Sequence, residues 1–447
     1  MLAISVSHSH AARQPINTRL QNLAQRILID GRGRARSISH QKLRESAIHR
    51  LRAFLFEAKR LKTKPFPYPH AKEVVERIER KVIECLADLE ALPASADPET
   101  IKTGCSVSLR LVMDYTPLLG FISRSTSTRN SFETYGPLLR LAHAVLGPSG
   151  RLVISSEWDY TPFVLLYGDL NGFVFLGLPA PEAGNPKLTS IAGHELGHPL
   201  WTDKDLKNRY SAEISVCIRN RIEDTWNEYN MLFPEISREK FANPFDPQVS
   251  HTWLLSWNWA LRQLEETFCD LVGLVLFGEA FLHACAYLIG PNTGRLRSPE
   301  YPNLRRRFEN LRTAAGTFDY QFPNEYLELV QDDPAPQGRE IGYSLSLADF
   351  ALQRFFPSLI EEIGKIATEK HLPKPNYTRI RACCENFKNM IPAPKECNLA
   401  DIINAAWKFT TSQWSNEKHI AESDHARILS DLVLKSFEAI EIRERLR

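Results

Sequence analysis

Apolar residues recur at intervals of three and four along most of the chain, a period that predicts helices with one buried face. In residues 39–61 the stripe is Leu43, Ala47, Ile48, Leu51, Phe54, Leu55 and Ala58. In residues 71–91 it is Val74, Val75, Ile78, Val82, Cys85, Leu86 and Leu89, and Glu, Lys and Arg lace the other face. A Pro- and Ala-containing break at 93–98 precedes two further predicted helices, near 106–122 and 133–146. The period changes after the Gly-Pro-Ser-Gly turn at 147–150, where runs at 151–155, 163–167 and 173–178 read as strands. Residues 168–172, Gly-Asp-Leu-Asn-Gly, read as a hairpin connection between the last two. Helical spacing then returns at 211–232, 251–278, 302–315, 344–369, 376–390, 398–411 and 421–443. The stretch 332–338, Asp-Asp-Pro-Ala-Pro-Gln-Gly, has the composition of a linker. The expected class is α+β and predominantly helical, with a small β-sheet. Three segments follow: a helical region at 1–147, a central domain at 148–331 and a helical region at 332–447.

Chemistry concentrates where the strands give way to helix. Residues 188–201 contain His194-Glu195-Leu196-Gly197-His198, an HExxH. On a helix the two imidazoles stand one turn apart on one face, the spacing at which they can share one Zn²⁺. Glu195 projects beside them, where it can take a proton from water as a general base. A zinc site needs a third protein ligand, and two carboxylates downstream qualify. Glu266 lies 68 residues after His198 in a strongly apolar helix, with Asp270 one turn later to accept the free ring N–H of a ligand histidine. Glu223, 25 residues after His198, is the alternative; the partner carboxylate favours Glu266. Pro199 follows His198 and cannot donate to the Glu195 carbonyl, so the helix is expected to kink or end there.

With HExxH followed by Glu266-x-x-x-Asp270 on a second helix, the chain resembles the gluzincin metallopeptidases, the clan of thermolysin and the CAAX-prenyl proteases. The resemblance covers roughly residues 150–315. It implies a zincin-like core, Zn²⁺ bound by His194, His198 and Glu266, Glu195 as general base, and Asp270 behind a ligand histidine. A further stretch, Tyr301-Pro302 with Arg307 six positions on, is similar to a His-Pro…Arg segment of some gluzincins, with Tyr301 in the place of the histidine. By that likeness Tyr301 is a catalytic candidate that donates to the developing oxyanion, positioned by Arg307. The strand at 173–178 is a candidate edge to hold an extended peptide.

Composition narrows the setting. The hydrophobic share of 43% and charged share of 24% are those of a soluble globular protein, and the formal net charge is only +2. That near-neutrality conceals a basic start: the first 64 residues hold 14 Lys and Arg against 3 acidic residues, including Arg32, Arg34 and Arg36. Nucleic-acid binding by this arm is one reading; scarce aromatic residues favour a solvated helix face. The eight cysteines show no framework spacing, which points to reduced thiols and a cytoplasmic protein. Cys383, Cys384 and Cys397 are a minor metal candidate. His143, His251 and His283 are expected to be packing or hydrogen-bonded residues. The start of the chain lacks the apolar run of a secretory signal. The most apolar stretch, 271–290, carries Glu279 and His283 and reads as a buried helix, so no membrane span is expected. The sequence therefore predicts a zinc-dependent metallopeptidase acting on a selective protein or peptide substrate. A non-proteolytic regulator or interaction protein with a zincin-like core and a basic binding arm is the alternative.

Overall fold

The computed structural model describes residues 6–7, 40–93, 96–128, 131–159, 161–243, 246–290, 296–330, 332–334, 336–410 and 421–446. The basic stretch at residues 31–36 lies outside them. The fold is α+β and predominantly helical, in two compact units. One gathers residues 5–131 and 151–180; the other gathers 132–150 and 181–447. Each therefore draws on more than one of the segments marked by the sequence pattern.

The first unit holds β1 (Val6–Ser7), α1 (His40–Lys62), α2 (Pro69–Ala91), α3 (Pro98–Ser125), β2 (Arg151–Glu157), β3 (Phe163–Leu166) and β4 (Phe173–Pro179). The stripes read from the sequence become its core: Ala47, Leu51 and Ala58 of α1 and Val74, Val75, Ile78 and Val82 of α2 are fully buried. The α3 helix starts at Pro98 because Asp97 accepts the Thr100 N–H at 3.0 Å. Among the described helices only α3 is long and apolar enough to cross a membrane. Its Tyr115, Leu118 and Ile122 are buried where it packs on α1, α2 and β2. In the sheet, strand order is β1-β3-β4-β2; β4 runs antiparallel to β3 and parallel to β2. The expected substrate edge at 173–178 is thus corrected: β4 has neighbours on both sides, and its backbone groups are already spent on the ladder.

The second unit holds α4 (Ser131–Leu146), α5 (Ala192–Asp203), α6 (Leu206–Asp224), α7 (Trp226–Leu232), α8 (Arg238–Ala242), α9 (Pro247–Phe277), α10 (Glu279–Ile289), α11 (Leu304–Thr317), α12 (Glu325–Leu329), α13 (Arg339–Glu369), α14 (Tyr377–Lys388), α15 (Leu399–Thr410) and α16 (Glu422–Arg445). Its spine is α9, a helix of 31 residues capped by Asp246, against which both α5 and α13 pack. The helix read at 211–232 is two helices. Thr225 divides them, spending its hydroxyl on the Arg221 carbonyl at 2.8 Å. The apolar stretch at 271–290 is buried as expected, yet it too is broken, at Gly278. There φ is +57°, and a Cβ would stand 2.9 Å from Pro375 and 3.0 Å from Tyr320. The expected linker is tied down: Asp333 accepts the Leu304 N–H at 2.9 Å, and the Pro334 carbonyl accepts the Arg297 N–H at 3.0 Å.

Candidate metal centre

The HELGH residues sit on α5, and α5 lies against α9 at backbone distance. A Cβ added to Gly193 would meet the Gly273 Cα at 2.9 Å, and one added to Gly197 would meet the Cys269 Cα at 2.6 Å. A step of four forward on one helix thus matches four backward on the other, so the two run antiparallel with glycine at the contact points. Residues 192–201 are buried throughout. Of the two outcomes expected at Pro199, the end is not seen: held by that burial, the helix continues to Asp203. The missing hydrogen bond to the Glu195 carbonyl is a local cost that packing on α9 outweighs.

This contact brings the imidazoles to a carboxylate. His194 Nε2 lies 3.4 Å from Glu266 Oε2, and His198 Nε2 lies 3.9 Å from Glu266 Oε1. The two rings stand at 79° to each other. Behind them, His194 Nδ1 is 2.8 Å from Asp270 Oδ1, and His198 Nδ1 is 2.9 Å from Glu265 Oε1. An ionised carboxylate only accepts, so each Nδ1 carries a proton toward its carboxylate, and each Nε2 is left facing Glu266, where once unprotonated it can offer a lone pair to a cation. Arg307 donates twice to Asp270, at 2.6 and 2.7 Å, and Arg262 donates to Glu265 at 2.6 Å.

The unpaired atoms identify what the arrangement lacks. Both Nε2 atoms and all four carboxylate oxygens of Glu195 and Glu266 are buried without a hydrogen-bond partner. Buried polar atoms in that state are costly, and a cation or water held among them would offset the cost. Two ligands at tetrahedral angles on a Zn²⁺, with bonds of about 2.1 Å, stand about 3.4 Å apart, close to the separations found here. Charge leads to the same end. With both imidazoles neutral, four carboxylates (Glu195, Glu265, Glu266 and Asp270) face two guanidinium groups (Arg262 and Arg307), a deficit of two positive charges that one divalent cation, or protons on His194 and Glu195, makes good. The residues present fit a zinc ion.

Electrostatics sort the roles. Without a cation, His194 would hold its proton up to about 10: burial opposes the charge, but the hydrogen bond to Asp270, the nearby Glu266 carboxylate and the charges of Asp270 and Glu195 outweigh it. Asp270 is held down at about 2, since Arg307 and His194 overcome the burial that would raise it. Burial opposes ionisation of Glu265 as well, and its hydrogen bond to His198 overturns that and lowers it. Glu195 is pushed up, by burial first. Tyr301, in the turn closed by its N–H to the Ser298 carbonyl, has its phenol raised by burial and then by the Glu266 charge, with Glu195 adding to the rise.

His194, Glu195, His198, Glu266 and Asp270 are therefore brought together as the sequence predicts, and Tyr301 feels the same charges. Glu223 is exposed on α6. Arg307 is 4% exposed and bound bidentately to Asp270, which its guanidinium fork matches, and its charge also reaches Tyr301. Cys269 was not foreseen. Its sulfur and one ring nitrogen of each histidine lie within 4.8 Å of one another, the one such grouping among the described residues. In the metal-free protein burial and the surrounding carboxylates push its thiol well above the usual range; a bound cation would draw that proton off, so Cys269 stands beside Glu266 as a candidate ligand. Glu265 and Arg262 were also missed, although their spacing on one helix face beside Glu266 is a signal the sequence carries. Cys383, Cys384 and Cys397 form no metal-spaced group among the described residues. His143 bonds the Gly150 carbonyl, His283 bonds Tyr326 and stacks on Trp407, and His251 is exposed. No family model, curated protein or solved structure matches the chain.

Proposed function

We propose that this chain is a zinc-dependent metallopeptidase with a zincin-like pair of helices, acting on a selective protein substrate. The likeness to gluzincins rests on the motifs of α5 and α9, with the Tyr301-Pro302 and Arg307 segment beside them. One observation carries the reading: the unpartnered Nε2 atoms of His194 and His198 lie 3.4 and 3.9 Å from the unpartnered Glu266 oxygens, with the equally unpartnered Glu195 carboxylate near enough to feel their charges, where a divalent cation would be held. When bound, zinc polarises the scissile carbonyl and lowers the pKa of water. Glu195 has both carboxylate oxygens free and a pKa raised toward the working range of a general base. It takes the proton from the attacking water as the new C–O bond forms. It then returns that proton to the amide nitrogen as the C–N bond breaks. Asp270, held by Arg307, keeps His194 aimed. Tyr301 keeps its phenolic proton and can donate it in a hydrogen bond to the developing oxyanion. All eight cysteines are free, which supports a reducing, cytoplasmic setting.

A second reading is a regulator or interaction protein that keeps the centre for structure. One observation favours it: His194, Glu195, His198 and Glu266 are all 0% exposed, and structural zinc sites are closed where catalytic ones keep an open position. Metal analysis of purified protein and cleavage of a protein library by wild type and Glu195→Gln separate the two. The peptidase reading expects about one zinc per chain in both and cleavage in the wild type only. Equal cleavage by Glu195→Gln would remove the role given to that carboxylate.

A further inference from the structure

Each imidazole at the centre is backed by a carboxylate, and each carboxylate by a guanidinium. For His194 the pair is Asp270 on α9 and Arg307 on α11. For His198 it is Glu265 and Arg262, both on α9, and nothing in the gluzincin resemblance supplies that second pair. We infer that Glu265, held by Arg262, is a positioning residue for the metal: it fixes His198 with the proton on Nδ1 and so presents Nε2 beside Glu266. The inference rests on the zinc reading above and deepens it.

The geometry is specific. Glu265 Oε1 takes the His198 Nδ1–H at 2.9 Å, while Oε2 takes Arg262 Nη1 at 2.6 Å. The second arm of Arg262, Nη2, stands 3.8 Å from Glu266 Oε1. Positions 262, 265 and 266 share one helix face, so a single guanidinium bridges the carboxylate that orients a ligand and the carboxylate that is a ligand. The Glu265 side chain is 13% exposed and that of Arg262 is 22% exposed, so water does not replace either partner cheaply. A neutral imidazole with Nδ1 unheld divides between two tautomers, and only one offers Nε2 to the metal. A carboxylate on Nδ1 removes that choice and makes Nε2 a stronger donor.

Glu265→Gln tests this, with zinc affinity read by chelator competition and the ligand field read from the visible spectrum of the Co²⁺-substituted protein. Loss of the orienting charge is expected to weaken zinc binding roughly 10- to 100-fold and to alter the cobalt spectrum. Glu265→Asp, which keeps the charge, is expected to recover part of both. A general loss of packing would lower thermal stability without changing the cobalt bands. A ¹⁵N spectrum of the zinc-loaded wild type supplies a measurement that needs no variant: His198 should show a protonated Nδ1. A protonated Nε2 there, or a folded Glu265→Gln that binds zinc within about twofold of wild type with unchanged cobalt bands, overturns the inference. A wild-type chain that takes up neither zinc nor cobalt removes the metal reading itself, and this inference with it.

Discussion

Gly197 is the residue at which packing and metal binding are most tightly joined, and Gly197→Ala separates the forces involved. The new Cβ would lie 2.6 Å from the Cys269 Cα and 2.9 Å from its Cβ and Sγ, whereas ordinary contact begins at 3.4 Å. The nearest atom is backbone, so no rotamer relieves the overlap, and α5 must move from α9 by about 0.8 Å. Alanine's better helix propensity, about 0.5–1 kcal/mol, acts in the opposite sense. Overpacking of a filled interface costs about 1–3 kcal/mol and outweighs it. His198 is the next residue on α5 and Glu266 lies one turn from Cys269 on α9, so their separation changes by several times the ~0.2 Å that a metal site tolerates. The expected result is a metal-free protein less stable to urea, with zinc affinity lowered at least about tenfold by chelator competition. Gly364→Ala in α13 is the control: its Cβ meets nothing within 4 Å, so stability should rise by about 0.5–1 kcal/mol with zinc affinity unchanged. A Gly197→Ala protein as stable as wild type, with wild-type zinc affinity, would refute the close-contact argument.

Two further outcomes follow from the buried charges. Arg307→Leu leaves the Asp270 carboxylate, 2% exposed, without its guanidinium and should cost about 3–5 kcal/mol in urea denaturation. Adding Asp270→Leu should restore part of that loss, and a single variant no worse than the double one would count against the pairing. The His194 pKa of about 10 in the metal-free protein lies above its ordinary 6.5, so its contribution to stability is full below pH 6.5 and is lost as pH rises toward 10. Zinc needs that imidazole neutral, so loading between pH 7 and 9 should release at least about one proton per zinc, and affinity should fall with falling pH. Calorimetric titration in two buffers of different ionisation enthalpy measures the release; none would contradict the assignment.

Much of the centre was legible because its residues are local. HELGH needs only a helix to bring two imidazoles together, and Glu266 with Asp270 needs only a second. Arg307 could be matched by position, but its true partner could not be known without the packing of α11 on α9. Glu265 was passed over because a charged residue beside a ligand on an exposed face and one turned toward His198 read alike in a linear pattern. Pro199 was overvalued, since a local rule about one missing hydrogen bond says nothing of the burial that holds the helix on both sides of it.

The pattern of apolar residues by itself determined most of the helices and the core stripes, which depend on neighbours three or four residues apart, and the three strands at 151–179, which show as short apolar runs between turns. The sequence favoured Glu266 over Glu223 through Asp270 and its apolar helix, and the tertiary structure set Glu266 3.4 and 3.9 Å from the imidazoles and left Glu223 exposed on α6. The tertiary structure also decided that Gly193 and Gly197 are there for closeness. Two backbones at that distance bring His194 and His198 to a buried Glu266, and the cost of leaving their polar atoms unpaired is the physical reason for proposing a cation there.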